Sequence, residues 1–214
     1  DTGALQIAQT QLALDGILEG NLGSLGQFLG DVTFATEGLT LTDPASAEAI
    51  GDAITGSAEI RFVEGEPIEI NGLTLSGEDY GLTGEAAIDG VDTGLLTQLK
   101  MTLEAQDISR FSALAGRAIA GATALALNGT VTPLGGMFDL AIAGGTDDLE
   151  IGIEQADAVL AGRTSLSMVA KRNETGTFLR DLELKNDALD LTGDVELRSE
   201  DSRAALDFTL ADVG

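Results

Sequence analysis

One short pattern recurs five times along this chain: an aliphatic residue, a small residue and a glycine, with another aliphatic residue four positions after the glycine. The copies begin at Ile54-Thr55-Gly56, Leu82-Thr83-Gly84, Ile119-Ala120-Gly121, Leu160-Ala161-Gly162 and Leu191-Thr192-Gly193. The later aliphatic positions are Ile60, Ile88, Leu125, Leu166 and Leu197. Successive glycines lie 28, 37, 41 and 31 residues apart, so the repeat is irregular.

With a period of two, each copy sorts its side chains onto two faces. In the first, Ile54, Ala58, Ile60 and Phe62 share one face, while Thr55, Ser57, Glu59 and Arg61 share the other. The second places Leu82 and Ile88 on the dry face, the third Leu125 and Leu127. The fourth reads Leu160, Thr164, Leu166 and Met168, and the last Leu191, Val195 and Leu197. This is the alternation of a strand with one dry side and one wet side. A glycine at the same place in each strand weakens it unless it serves a bend or a bulge.

Between the copies the alternation continues, and the chain reads as twelve to fifteen antiparallel strands over residues 1–214 without a linker. Expected strands include Ile68–Leu75, Leu96–Leu103, Met137–Ile142, Leu149–Ile153, Phe178–Leu184 and Ala204–Leu210. Turns are expected at Asp15-Gly16, Glu64-Gly65, Asn71-Gly72, Asp89-Gly90, Asn128-Gly129, Asp147-Asp148 and Asn173–Gly176. The Gly-broken stretch Leu18–Leu29 fits a strand or a short helix. Two short helices are expected, one starting at Asp43-Pro44 and reaching Ile50, the other over Ser109–Ala115. Each leads into a repeat copy and would cap the sheet.

Composition narrows the function. The formal charge of −25 disfavours nucleic acid, which needs clustered Lys and Arg. There is no His and no Cys, so the usual nucleophile–base pairs, thiolate metal sites and disulfides have no material. No phosphate-binding glycine loop or calcium loop occurs, and no catalytic residue, metal ligand or cofactor is expected. Hydrophobic residues make up 43% but aromatics only 4%, so the dry face is Leu, Ile, Val and Ala. That composition favours a smooth groove over a filled barrel or sandwich, although the pattern alone leaves both open.

The segments Ser109–Arg117 followed by Ile119-Ala120-Gly121, and Ile70-Asn71-Gly72-Leu73-Thr74-Leu75, resemble TamB proteins of the AsmA-like group. TamB is the inner-membrane subunit of the translocation and assembly module. The resemblance implies an all-β fold: a long, curled, mostly antiparallel sheet forming an open groove, the β-taco. Its inner face would be aliphatic, with one or two short capping helices. It also implies an internal periplasmic segment of a bridge anchored in the inner membrane, which carries phospholipid acyl chains to the outer membrane and supports outer-membrane biogenesis. An outer-membrane barrel partner would dock outside this segment.

On this reading the groove is lined by Ile54, Ile60, Phe62, Leu82, Ile88, Leu125 and Leu127, and further along by Leu160, Leu166, Met168, Leu191, Val195 and Leu197. The alternatives are an adhesive β-solenoid of a secreted passenger-type protein and a scaffold that pairs client strands at its edge. The drifting repeat length fits a solenoid poorly, since coils of a solenoid keep a near-constant period.

Overall fold

The computed structural model describes residues 5–21, 24–198 and 201–211. Among the described residues twelve strands form a single sheet, and each pairs antiparallel with its neighbours in sequence. The first half comprises β1 (Leu5–Asn21), β2 (Ser24–Leu41), β3 (Ala53–Val63), β4 (Ile68–Ser76), β5 (Tyr80–Ile88) and β6 (Thr97–Ala105). The second comprises β7 (Ala120–Thr132), β8 (Met137–Glu150), β9 (Arg163–Asn173), β10 (Gly176–Lys185), β11 (Leu189–Leu197) and β12 (Arg203–Leu210). β1 and β12 do not pair with each other, so the sheet is an open trough. At the usual spacing between strands it runs about 50 Å from first to last.

A meander of this kind has two long rims, because alternate connections fall at opposite ends of the strands. One rim carries the turns and short loops after β3, β5, β7 and β9. The other carries three helices: α1 (Pro44–Ile50) before β3, α2 (Ser112–Ala115) before β7 and α3 (Glu154–Leu160) before β9. Asp43 caps α1 by accepting from the Ser46 amide at 2.8 Å, and Pro44 fills the first turn, where an amide would have no partner. A short 3-10 turn, Ser109–Phe111, feeds α2, and Ser112 Oγ closes the segment on both backbone groups of Ile119.

Most of the well-buried side chains sit under this helical rim. Leu39, Ala49, Ala105, Leu160 and Leu189 are buried there with Thr146 and Thr164, whereas Ala170 and Thr97 lie elsewhere on the sheet. Over the rest of the sheet the apolar face is only half-covered. The helices therefore fold over the apolar face at one edge and leave its width open.

Several sequence expectations are corrected. Asp15-Gly16 is not a hairpin turn but lies within β1, which continues to Asn21. Leu18–Leu29 contributes to two strands rather than a helix, because pairing with β3 outweighs weak helical spacing. Asn128-Gly129 is inside β7. Asn71-Gly72 interrupts β4 as a bulge, with Gly72 at φ 56°. Asp147 and Asp148 are strand residues of β8, and Asp148 sits at φ 52° across from an irregularity in β7. An Asx-Gly pair suits a bulge as readily as a turn, since both need a left-handed backbone. The expected strand Leu149–Ile153 is instead the end of β8 at Glu150 and a short loop. An unexpected third helix, α3, follows and ends on Leu160, the first residue of the fourth repeat copy. The turns at Glu64-Gly65 and Asn173–Gly176 stand where the sequence puts them, whereas Asp89-Gly90 opens a longer loop, residues 89–96, that holds a 3-10 turn at Val91–Thr93.

Candidate functional site: an aliphatic trough across the sheet

In an antiparallel ladder, directly paired residues project to the same face, so the register traces one surface from strand to strand. From Leu12 on β1 the trace passes to Phe34, then Gly56, Leu75, Leu82 and Leu103. From Leu103 it continues through Leu125, Gly144, Leu166, Leu184 and Leu191 to Phe208 on β12. A second trace, four residues along on most strands, runs from Leu99 through Gly129, Leu140 and Ala170 to Leu179 and Val195. The positions joined in this way carry no acidic residue and a single cation, Arg172, at the turn rim.

Twelve of the thirteen residues expected to line the groove fall on this face. Ile54, Ile60 and Phe62 lie on β3, Leu82 and Ile88 on β5, and Leu125 and Leu127 on β7. Leu166 and Met168 lie on β9, and Leu191, Val195 and Leu197 on β11. Leu160 does not belong with them. It is the last residue of α3 and is only 6% exposed, so it seals the rim instead of lining the open width. The expected wall residues come from the repeat-bearing strands alone, so those of the even-numbered strands were missed. Phe34 on β2, Met101 on β6, Ile142 on β8 and Leu182 on β10 face the same trough. The same alternation in those strands was the available signal.

Glycines run through the middle of this face, and they permit its curl. Gly84 and Gly193 both take φ above 150°, a conformation that side chains rarely adopt. Each stands beside a bulge on the preceding strand, at Asn71-Gly72 and Arg180-Asp181 respectively. Gly56 instead leaves room for the Phe34 ring, which lies over it. Gly121 sits at the irregular start of β7, while Gly162 lies in the link from α3 to β9.

The helical rim is tied down by a cluster around Tyr80, which stands on the apolar face opposite Ala105. Its hydroxyl donates to the Ile50 carbonyl at the end of α1 at 3.1 Å, and burial raises its pKa. Phe111 meets the ring edge-on, with centroids 6.0 Å apart. Arg110 lies over the same ring at 5.5 Å and pairs with Asp79 at 2.5 Å and Glu78 at 3.2 Å. The Arg110–Asp79 contact lacks the alignment of a hydrogen bond and is best described as an ion pair. This residue therefore staples α2 to the β4–β5 turn.

Charge is confined to the outer face and the rims. Lys171 pairs with Asp139 at 2.7 Å, Lys185 with Asp190 at 2.7 Å, and Arg61 with Glu66 at 2.9 Å. Glu196 is held below the usual carboxylate range, chiefly by a hydrogen bond from Arg180, and it also accepts from Arg198 at 3.0 Å. The two guanidinium groups stand 5.5 and 5.4 Å from the Phe178 ring. A recess of about 620 Å³ at the helical rim is bordered by Glu78, Asp79, Glu104, Asp147 and Arg163. It lacks a continuous apolar wall.

Among the described residues no group of three His, Cys, Asp or Glu side chains is placed to hold a metal ion. No helix among them is long and apolar enough to cross a membrane. No protein-family model, curated protein or solved structure matches the chain.

Proposed function

We propose that this chain is a segment of a TamB-like periplasmic bridge, and that its trough carries phospholipid acyl chains between the inner and outer membranes. The observation that supports the reading is a single aliphatic face, free of acidic groups along the traced positions, which crosses all twelve strands and stays open along its width. Such a face is costly to leave in water. Covering it is favourable by about 25 cal/mol for each Å² removed from solvent, or about 0.8 kcal/mol per methylene of a bound chain.

The same physics suits transport. Hydrophobic attraction is non-directional, so a chain on an aliphatic floor has no polar contact to break as it slides. Glycines in mid-strand remove side chains that would divide the trough, and the helices at one rim keep water from that edge. The segment acts without catalysis on this reading, and anchorage in the inner membrane and docking to an outer-membrane barrel belong to other parts of the protein.

The test is mass spectrometry of the protein purified without added detergent. Phospholipid should co-purify in a fixed ratio to protein. A lipid-free preparation that also fails to take up a fluorescent acyl probe would overturn the proposal.

A further inference from the structure

Arg172 is out of place on the traced apolar face. It is the last residue but one of β9, and its direct partners are Phe138 on β8 and Thr177 on β10. The chain has only eleven Lys and Arg against 36 Asp and Glu, so cations are readily paired. Eight of the eleven do form ion pairs: Arg61, Arg110, Arg163, Lys171, Arg180, Lys185, Arg198 and Arg203. Among the described residues Arg172 has no such partner, and of the unpaired cations it alone sits on the traced face. Lys171 beside it points to the outer face and holds Asp139, so the neighbouring acid is already engaged.

The surroundings specify a ligand with two parts. Inward from Arg172, the same face of β9 runs through Ala170, Met168 and Leu166 to Thr164 under the helical rim. That lane is apolar and about 26 Å long for an extended strand. At its mouth the guanidinium offers a planar fork of donors that matches two phosphate oxygens, and the Thr177 hydroxyl lies on the adjacent strand. A long apolar body with an anionic head satisfies both parts.

We propose that Arg172, with Thr177 beside it, anchors the phosphate of an anionic amphiphile whose hydrocarbon chain lies in the Ala170–Met168–Leu166 lane. This rests on the acyl-carrying trough proposed above and adds a recognition point for the head group. An anion is repelled by the acidic bulk of the protein, so Arg172, among the described residues the one unpaired cation on this face, fixes where the head can sit.

The experiment compares dodecyl phosphate with dodecyl maltoside, both below their micelle concentrations, binding to the parent protein and to Arg172→Gln, Arg172→Lys and Thr177→Val. Arg172→Gln should weaken dodecyl phosphate about tenfold, the usual worth of a charge-assisted contact, and leave dodecyl maltoside unchanged. Arg172→Lys should retain part of the preference, and Thr177→Val should lose a smaller share. Melting temperatures should match the parent, because both positions lie at the turn rim with no ion pair to break. Equal loss for both amphiphiles, or no loss for the phosphate, overturns the anchoring role while leaving the trough intact. Displacement of dodecyl phosphate by millimolar inorganic phosphate would overturn the need for a chain. If the parent binds neither amphiphile, the acyl-carrying reading itself falls.

Discussion

Gly84 on β5 lies directly across from Met101 on β6, and a β-carbon built on the glycine would stand 2.8 Å from the Met101 Cα. No real β-carbon tolerates that approach to a backbone atom, and the φ of 154° adds strain of its own. Gly84→Ala should destabilise the protein by about 2–4 kcal/mol in urea unfolding. Gly65 provides the contrast, since it has positive φ but nothing within 4 Å of its added carbon. Gly65→Ala should cost only about 1 kcal/mol, from the backbone alone. Equal effects would mean that close approach across the trough floor has no bearing on stability.

Leu160 and Leu166 belong to the same sequence repeat yet occupy different environments. Leu166 is half-buried on the trough face, while Leu160, at the end of α3, is sealed. Leu166→Asp can keep its carboxylate in water and should cost about 1–2 kcal/mol, the value of the apolar contact removed. Leu160→Asp buries an unpaired charge and should cost several kcal/mol, of the order of a domain's whole stability. Thermal melting of the two variants checks this, and a Leu166→Asp protein that fails to fold would point to a filled core. Folded Leu166→Asp should also show reduced uptake of an acyl probe.

Arg110 holds two loops through one side chain that is only 12% exposed. Arg110→Met keeps the packing on Tyr80 but leaves Asp79 without its cation, and should lower stability by about 2 kcal/mol. Hydrogen exchange should quicken in α1 and α2 while β9–β12 stays protected. Uniform loss of protection would show that the rim and the sheet open together.

Acid sensitivity follows from carboxylates whose pKa values fall on folding. Asp43 is lowered by the side-chain and backbone hydrogen bonds of Ser46, Asp107 by those of Ser109, and Glu196 by Arg180. A depressed folded pKa gives stability that is complete above the unfolded value and lost as pH falls through the folded one. Stability should therefore be flat near neutrality and decline below about pH 4, the ordinary carboxylate range. Glu196→Gln should flatten that decline and lower stability at pH 7. A variant with an unchanged acid profile would remove Glu196 from the linkage.

Local periodicity made much of this protein readable from its residues. The alternation around Ile54–Phe62 and Leu191–Leu197 requires a strand with one apolar face, whatever surrounds it. The Asp43-Pro44 start specifies α1 through backbone chemistry that acts within four residues. For the same reason, the sequence reached the antiparallel all-β class and set twelve of its thirteen named residues on one face of the sheet.

Tertiary structure decided what depends on partners far along the chain. Whether Asn71-Gly72 turns the chain or bulges β4 depends on β3 and β5 offering ladders on both sides, which no local pattern encodes. Residues 154–160 become α3 where the chain crosses the rim between β8 and β9, and Leu160 is buried there although it sits at a repeat position. Openness is likewise a property of the whole sheet. It depends on β1 and β12 remaining apart, and closure depends on twist and curl accumulated over twelve strands, to which each strand contributes only a small angle.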